Sequence, residues 1–286
     1  MASSAPSGSG CPMSAAKDSP DAPLTYNSYL RIEELTDLQN CQSDPAHHDE
    51  PLFIIIHQAY ELWFKLILHE LDEVFRLLAD DKVRRATFFM RRVNAILKLL
   101  VQQIHILETM SPKDFLGFRY NLNPASGFQS SQFREIEFAG GLKDARMMEH
   151  FRSDARAYKR IKDRFEAPSL SDTFYALLRR RGFTLIADEP GLSEEEALKV
   201  QDARIRELLR IYDNQDGEPD LFDLAETLIE FDELISLWRT HHVTVVERMI
   251  GFKRGTGGSE GVAYLRTTLV KRCFPDLWQL RTLLEL

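Results

Sequence analysis

The stretch Pro219–Ile250, PDLFDLAETLIEFDELISLWRTHHVTVVERMI, decides the fold. Its apolar positions Leu224, Leu228, Phe231, Ile235, Trp238, Val245 and Met249 advance by threes and fours, the spacing that lays one stripe along an α-helix. Proline at the start and Gly251 just past the end punctuate a single long helix, with Gly251 expected as a left-handed cap. One position breaks the stripe. His242 falls where Leu or Ile is expected, and the helical period turns its neighbour His241 away by about 100°.

Two more long helices precede this one. The first opens at Asp49-Glu50-Pro51 and runs to about Leu78, with Phe53, Ile56, Tyr60, Trp63, Ile67, Leu71 and Val74 on one face. His57 lies in that stripe as well. The second covers Val83 to Met110, and Ser111-Pro112-Lys113-Asp114 then starts a short helix by its cap-then-proline form. Asn121 to Ser131, loaded with Asn, Pro, Ser and Gly, reads as a loop. Amphipathic helices are expected at about 143–165, 171–181 and 194–213, the last behind the capping box Ser193-x-x-Glu196. A glycine-rich loop, a helix at about 261–269 and an apolar C-terminal segment complete the chain.

No run of strict alternation marks a strand, so the fold class is all-α, with residues 24–286 as one helical domain built on three long helices. Residues 1–23, rich in Ser, Ala, Gly, Pro and Asp, cannot bury enough apolar surface to offset ordering entropy and read as a disordered tail. A net charge of -8 argues against a nucleic-acid partner, whose phosphates would need an excess of Lys and Arg. Cys11, Cys41 and Cys273 form neither a covalent haem-attachment motif nor a zinc spacing, which fits a reducing cytoplasm. The most apolar region is interrupted by His57, Gln58, Glu61, Lys65 and His69, and the N-terminus lacks the form of a signal peptide. A soluble cytoplasmic protein without a membrane partner is expected.

A histidine in an apolar stripe is either hydrogen-bonded or bound to a metal, because an unpartnered buried imidazole loses free energy. His57 and His242 share that choice, while the pair His47-His48 reads as surface. Di-iron Glu-x-x-His spacing is absent, and the zincin-like string begun by His69-Glu70 fails at Glu73. Gly255-Thr256-Gly257-Gly258-Ser259 lacks the lysine of a phosphate loop and reads as either a connector or a lid over a small polar ligand. Arg119, beside the 121–131 loop, is either a surface ion-pair partner or a carboxylate clamp.

Four segments carry a resemblance. Phe53 to Lys65 (FIIIHQAYELWFK), Ser126 to Arg134 (SGFQSSQFR), Trp238-Arg239-x-x-His242 and Gly255 to Ser259 (GTGGS), in this order, resemble the tryptophan 2,3-dioxygenases, and the likeness runs from Tyr26 to the C-terminus. The resemblance implies a homotetrameric all-helical fold around a pocket for one haem b per subunit, with Fe(II) in the active state. It implies that L-tryptophan and O2 react to give N-formyl-L-kynurenine. His242 matches the iron ligand, and His57 the distal histidine that accepts a hydrogen bond from the indole N–H. Arg119 matches the substrate-carboxylate clamp, and Thr256 the residue that meets the ammonium and carboxylate. Phe53 and Phe115 match aromatic positions around the indole. Ser126, Gly127 and Trp238 match the haem surroundings. Tyr26 and Tyr29 match aromatics that reach into a neighbouring subunit's pocket.

Overall fold

A computed structural model describes residues 23–186, 191–255 and 261–285. They group into two units, one ending at Asn40 and one beginning at Cys41. In the first, Thr25 caps α1 (Tyr26–Leu30) through a reciprocal capping box with Ser28. Arg31, in the left-handed region at φ 52° and ψ 48°, then turns the chain into α2 (Ile32–Thr36). Tyr26 and Tyr29 are exposed on α1.

The second unit contains α3 (Glu50–Ala79), α4 (Val83–Leu107), α5 (Pro112–Arg119), α6 (Ser131–Gly140), α7 (Ala155–Glu166), α8 (Leu170–Arg180), α9 (Glu194–Asp213), α10 (Pro219–Ile250), α11 (Val262–Thr267) and α12 (Pro275–Gln279). No strand occurs among the described residues, and the fold is all-α. The helices α3, α4 and α10, of 30, 25 and 32 residues, are about 38 to 48 Å long at 1.5 Å per residue.

The frame is set by α4, which packs along both α3 and α10. Its stripe Val93, Leu97, Leu100 and Ile104 is buried, and Asn94 is buried among these apolar side chains. Asn94 Nδ2 donates to the Thr227 carbonyl (2.9 Å) and to Glu230 Oε2 (2.8 Å), which fixes the register of α4 on α10. The Tyr60 hydroxyl donates to the Leu100 carbonyl (2.7 Å), and Gln103 Nε2 to the Ile56 carbonyl (3.1 Å), which does the same for α3 on α4. A slip of one turn would leave these buried groups unpaired, at about 1–3 kcal/mol each.

Three sequence expectations need correction. Residues 131–140 form α6, where no helix had been expected: the loop reading runs up to its first residue, and Glu135 and Glu137, polar by type, are buried beside Ile136 and Phe138. The expected helix at 143–165 is two pieces: a 3-10 segment at Ala145–Phe151, then α7, where Asp154 accepts from the backbone N–H groups of Arg156 and Ala157 and so starts a new helix. Gly251 has positive φ (58°) but ψ of -135°, a conformation open to glycine and not the left-handed helical cap. In addition, α3 is long and apolar enough to cross a membrane by length and composition, with a mean hydropathy of 1.3 over its most apolar window. Its buried face, from Ile56 to Leu78, belongs to the main core.

Candidate active site

A cavity of about 600 Å³ is lined by residues of α3, α5 and α10 and of the 125–134 segment, a volume within the range of small-molecule sites. It collects Phe53 and His57 from α3, Phe115 and Arg119 from α5, Ser126 and Gly127 from the loop, and Trp238 and His242 from α10. Thr256 lies outside the described residues. Tyr26 and Tyr29 belong to the N-terminal unit.

The helical period explains the α10 side. Trp238 and His242 stand four residues apart, one turn on the same face, and their rings stack at 5.0 Å with 12° between planes. His241 is turned away and meets His105 edge-on at 5.0 Å. The His242 imidazole borders the cavity but is otherwise enclosed by protein. Burial lowers its pKa to about 4, with a smaller contribution from His57, so the ring is neutral near pH 7 and keeps a free nitrogen lone pair.

On the α3 side, His57 Nδ1 lies 2.7 Å from the Phe53 carbonyl. A carbonyl only accepts, so Nδ1 carries the proton and Nε2 is left as an acceptor. Burial lowers the His57 pKa, against the Phe53 carbonyl and the Glu61 carboxylate, which raise it. The Phe53 ring leans on His57 at 4.1 Å and pairs with Phe115 at 5.5 Å. Arg119 is 6% exposed, and its Nη2 donates to the Arg254 carbonyl at 2.5 Å, one residue before the glycine loop begins. Its other guanidinium donors border a largely apolar space, where a carboxylate partner is worth most.

Sequence reading missed a polar sector. Arg134, Glu137, Arg239, Tyr264 and Lys271 also line the cavity. Glu137 bridges the Arg134 and Arg239 guanidiniums, and Arg134 Nε is buried without a hydrogen-bond partner in the structure. Glu61, four residues after His57, accepts from Ser130 Oγ (2.6 Å) and from Gln132 Nε2 (2.7 Å), which ties the 126–132 segment to α3. The i to i+4 spacing from His57 was the available signal for Glu61. For the Arg134–Glu137 pair the signal was the i to i+3 spacing and the place of Arg134 at the end of the SGFQSSQFR segment.

Fold and cavity together define an all-α protein with a two-histidine small-molecule site. Among the described residues no group of three or more His, Cys, Asp or Glu side chains is placed to hold a metal ion. The family model described as tryptophan 2,3-dioxygenase matches residues 12–197 and 192–284. The tryptophan 2,3-dioxygenase of Herpetosiphon aurantiacus is 45% identical over 258 residues, covering 90% of this chain and 97% of that protein. The one from Nocardioides sp. is 46% identical over 266 residues (91% and 95%), and that of Xanthomonas campestris is 42% identical over 260 residues (91% and 87%). The chain belongs to the tryptophan 2,3-dioxygenase family, whose members depend on haem. It is an oxidoreductase, a dioxygenase of tryptophan.

Proposed function

We propose that the chain adds both atoms of O2 across the C2–C3 bond of the indole of L-tryptophan, giving N-formyl-L-kynurenine, with one haem b per subunit held by His242. The observation that carries this reading is the placement of two neutral imidazoles, on different long helices, in one largely apolar cavity. The residues fit the cofactor. His242 offers a lone pair, and a Cβ added to Gly127 would meet nothing within 4 Å, which leaves room beside the loop for a bulky flat group. The unpaired Nε of Arg134, a residue that lines the cavity as Lys271 and Tyr264 do, suits the carboxylates such a group carries.

Ferrous haem supplies the activation of O2 when bound. The protein groups then bind and orient the substrate. Arg119 holds the tryptophan carboxylate, and Phe53 and Phe115 enclose the indole. The Nε2 of His57 accepts a hydrogen bond from the indole N–H, which fixes the ring's rotation about the clamp. Ser126, Gly127 and Trp238 line the cofactor's surroundings, and the Thr256 hydroxyl meets the ammonium and carboxylate of the substrate.

The same reading makes the enzyme a cytoplasmic homotetramer in which Tyr26 and Tyr29 complete a neighbour's pocket, residues 24–286 form the catalytic domain and residues 1–23 a tail. Exposed Tyr26 and Tyr29 support it, as do Ile55 and Leu62 on α3 and Leu99 and Ile106 on α4, each pair seven residues apart and each side chain between 45% and 53% exposed. Reduced holoenzyme given L-tryptophan under 18O2 should yield a product heavier by both labelled atoms in mass spectrometry. Incorporation of one atom would instead identify a monooxygenase.

A further inference from the structure

The 41–49 segment, absent from the proposed chemistry, is built unlike an ordinary connector. Glu50, at the start of α3, is fully buried, and its carboxylate turns back over the chain. It accepts from the backbone N–H of Gln42 (2.6 Å), from that of Ser43 (3.1 Å) and from Ser43 Oγ. Ser43 Oγ accepts in turn from the His47 N–H (2.8 Å), and His47 Nδ1 accepts from the Asp49 N–H (3.2 Å). These bonds orient the imidazole, which leaves Nε2 and Cδ2 facing α5. His47 is half-buried, where the sequence had read a surface residue.

The imidazole lies against Gly117. A Cβ there would come within 2.9 Å of His47 Nε2 and 3.0 Å of Cδ2, closer than non-bonded atoms approach. The same ring meets Phe118 at 5.3 Å, and Phe118 touches Phe53 (5.8 Å) and Phe115 (5.4 Å), two rings that face the cavity. Asn121 Nδ2, just past α5, donates to the Gln42 carbonyl (3.2 Å). The helix that carries Phe115 and Arg119 is only eight residues long and cannot hold itself in place. We propose that His47, seated on Gly117, is a positioning residue: the 41–50 segment is a pedestal that sets the register of α5 and thereby the reach of the Arg119 clamp to the amino-acid end of the substrate.

This rests on Arg119 as the clamp, and the test separates the two. In the holoenzyme, Gly117→Ala should raise KM for L-tryptophan about ten- to a hundredfold, the scale of an ångström-sized misplacement. Its Soret band and haem content should stay at wild-type values, and the inhibition constant of 3-methylindole, which has no carboxylate and meets α5 only through Phe115, should rise severalfold less than KM. His47→Ala should raise KM in the same selective way, and the double variant should be no worse than the worse single one, because removing the ring removes the clash. His47→Ala alone suffices if Gly117→Ala does not fold. An unchanged KM, losses that multiply in the double variant, or a 3-methylindole constant that rises in step with KM would each overturn the pedestal. If Arg119→Ala raises KM while His47→Ala does not, only the pedestal falls; if Arg119→Ala leaves KM unchanged, the clamp itself falls.

Discussion

The two walls of the cavity are built on opposite terms. His242 and Trp238 project from a 32-residue helix whose flank is locked by buried Asp232, which accepts from the Cys273 and Phe274 N–H groups and from Trp238's fellow indole, Trp278 Nε1, at 2.9 to 3.0 Å. Arg119 and Phe115 project from an eight-residue helix supported by a loop, a carbonyl at Arg254 and a small apolar cluster around Phe118. The difference separates two tasks. On the proposed assignment, the imidazole that would hold the metal sits on the longest helix, and the arginine that would grip the substrate sits on a short one whose place depends on its supports.

The sharpest way to break that division is His242→Ala. Alanine is the best helix former, so α10 should persist while the imidazole that it presents to the cavity is lost. Purified protein should lose its Soret absorbance and retain little haem, and full haem retention would end the assignment of His242. Arg119→Ala should have the next largest effect. Truncating one partner of a buried charge pair costs about 2–5 kcal/mol, so kcat/KM for L-tryptophan should drop about thirty- to several-thousandfold with haem content unaltered. Loss of haem in that variant as well would mean that the two walls are not independent.

The same contrast governs what the residues alone disclose. On α10 and α3 a single rule, the 3.6-residue period, puts His242, Trp238, His57 and Phe53 on inward faces, and both histidines announce themselves by interrupting an apolar stripe. The roles of these residues and of Arg119 came from the likeness to a family, since an arginine at a short helix's end is ambiguous by pattern. The polar sector stayed hidden because Arg134 and Glu137 lie on α6, whose buried carboxylates Glu135 and Glu137 read by type as solvent-facing residues. His47 looked like half of an exposed pair because its meaning comes from Gly117, seventy residues on, and from the Glu50 carboxylate that folds the segment back. Local periodicity carries the rigid wall. Contacts distant in sequence carry the supported one.

The smallest effect concerns His57, whose tautomer is fixed by the Phe53 carbonyl one turn back on α3 and whose charge is set by burial against Phe53 and Glu61 of the same helix. Burial lowers its pKa below the ordinary value of 6.5, and the Glu61 carboxylate partly restores it. The neutral acceptor form therefore persists as pH falls through 6.5, and the acid limb of kcat/KM, which reports the free enzyme, should lie below that value. The linkage has a definite sign: an unfolded chain takes up a proton at this imidazole near pH 6.5 while the folded one does not, so its contribution to stability declines as pH drops from there. Glu61→Gln keeps an acceptor for Ser130 but removes the negative charge. It should shift the acid limb further down and leave the plateau within about a factor of three, since Ser130 keeps an acceptor and Gln132 still donates to the main-chain carbonyl of residue 61. A limb that moved up, or that stayed at the ordinary histidine value in the unmodified enzyme, would show that some other group titrates there.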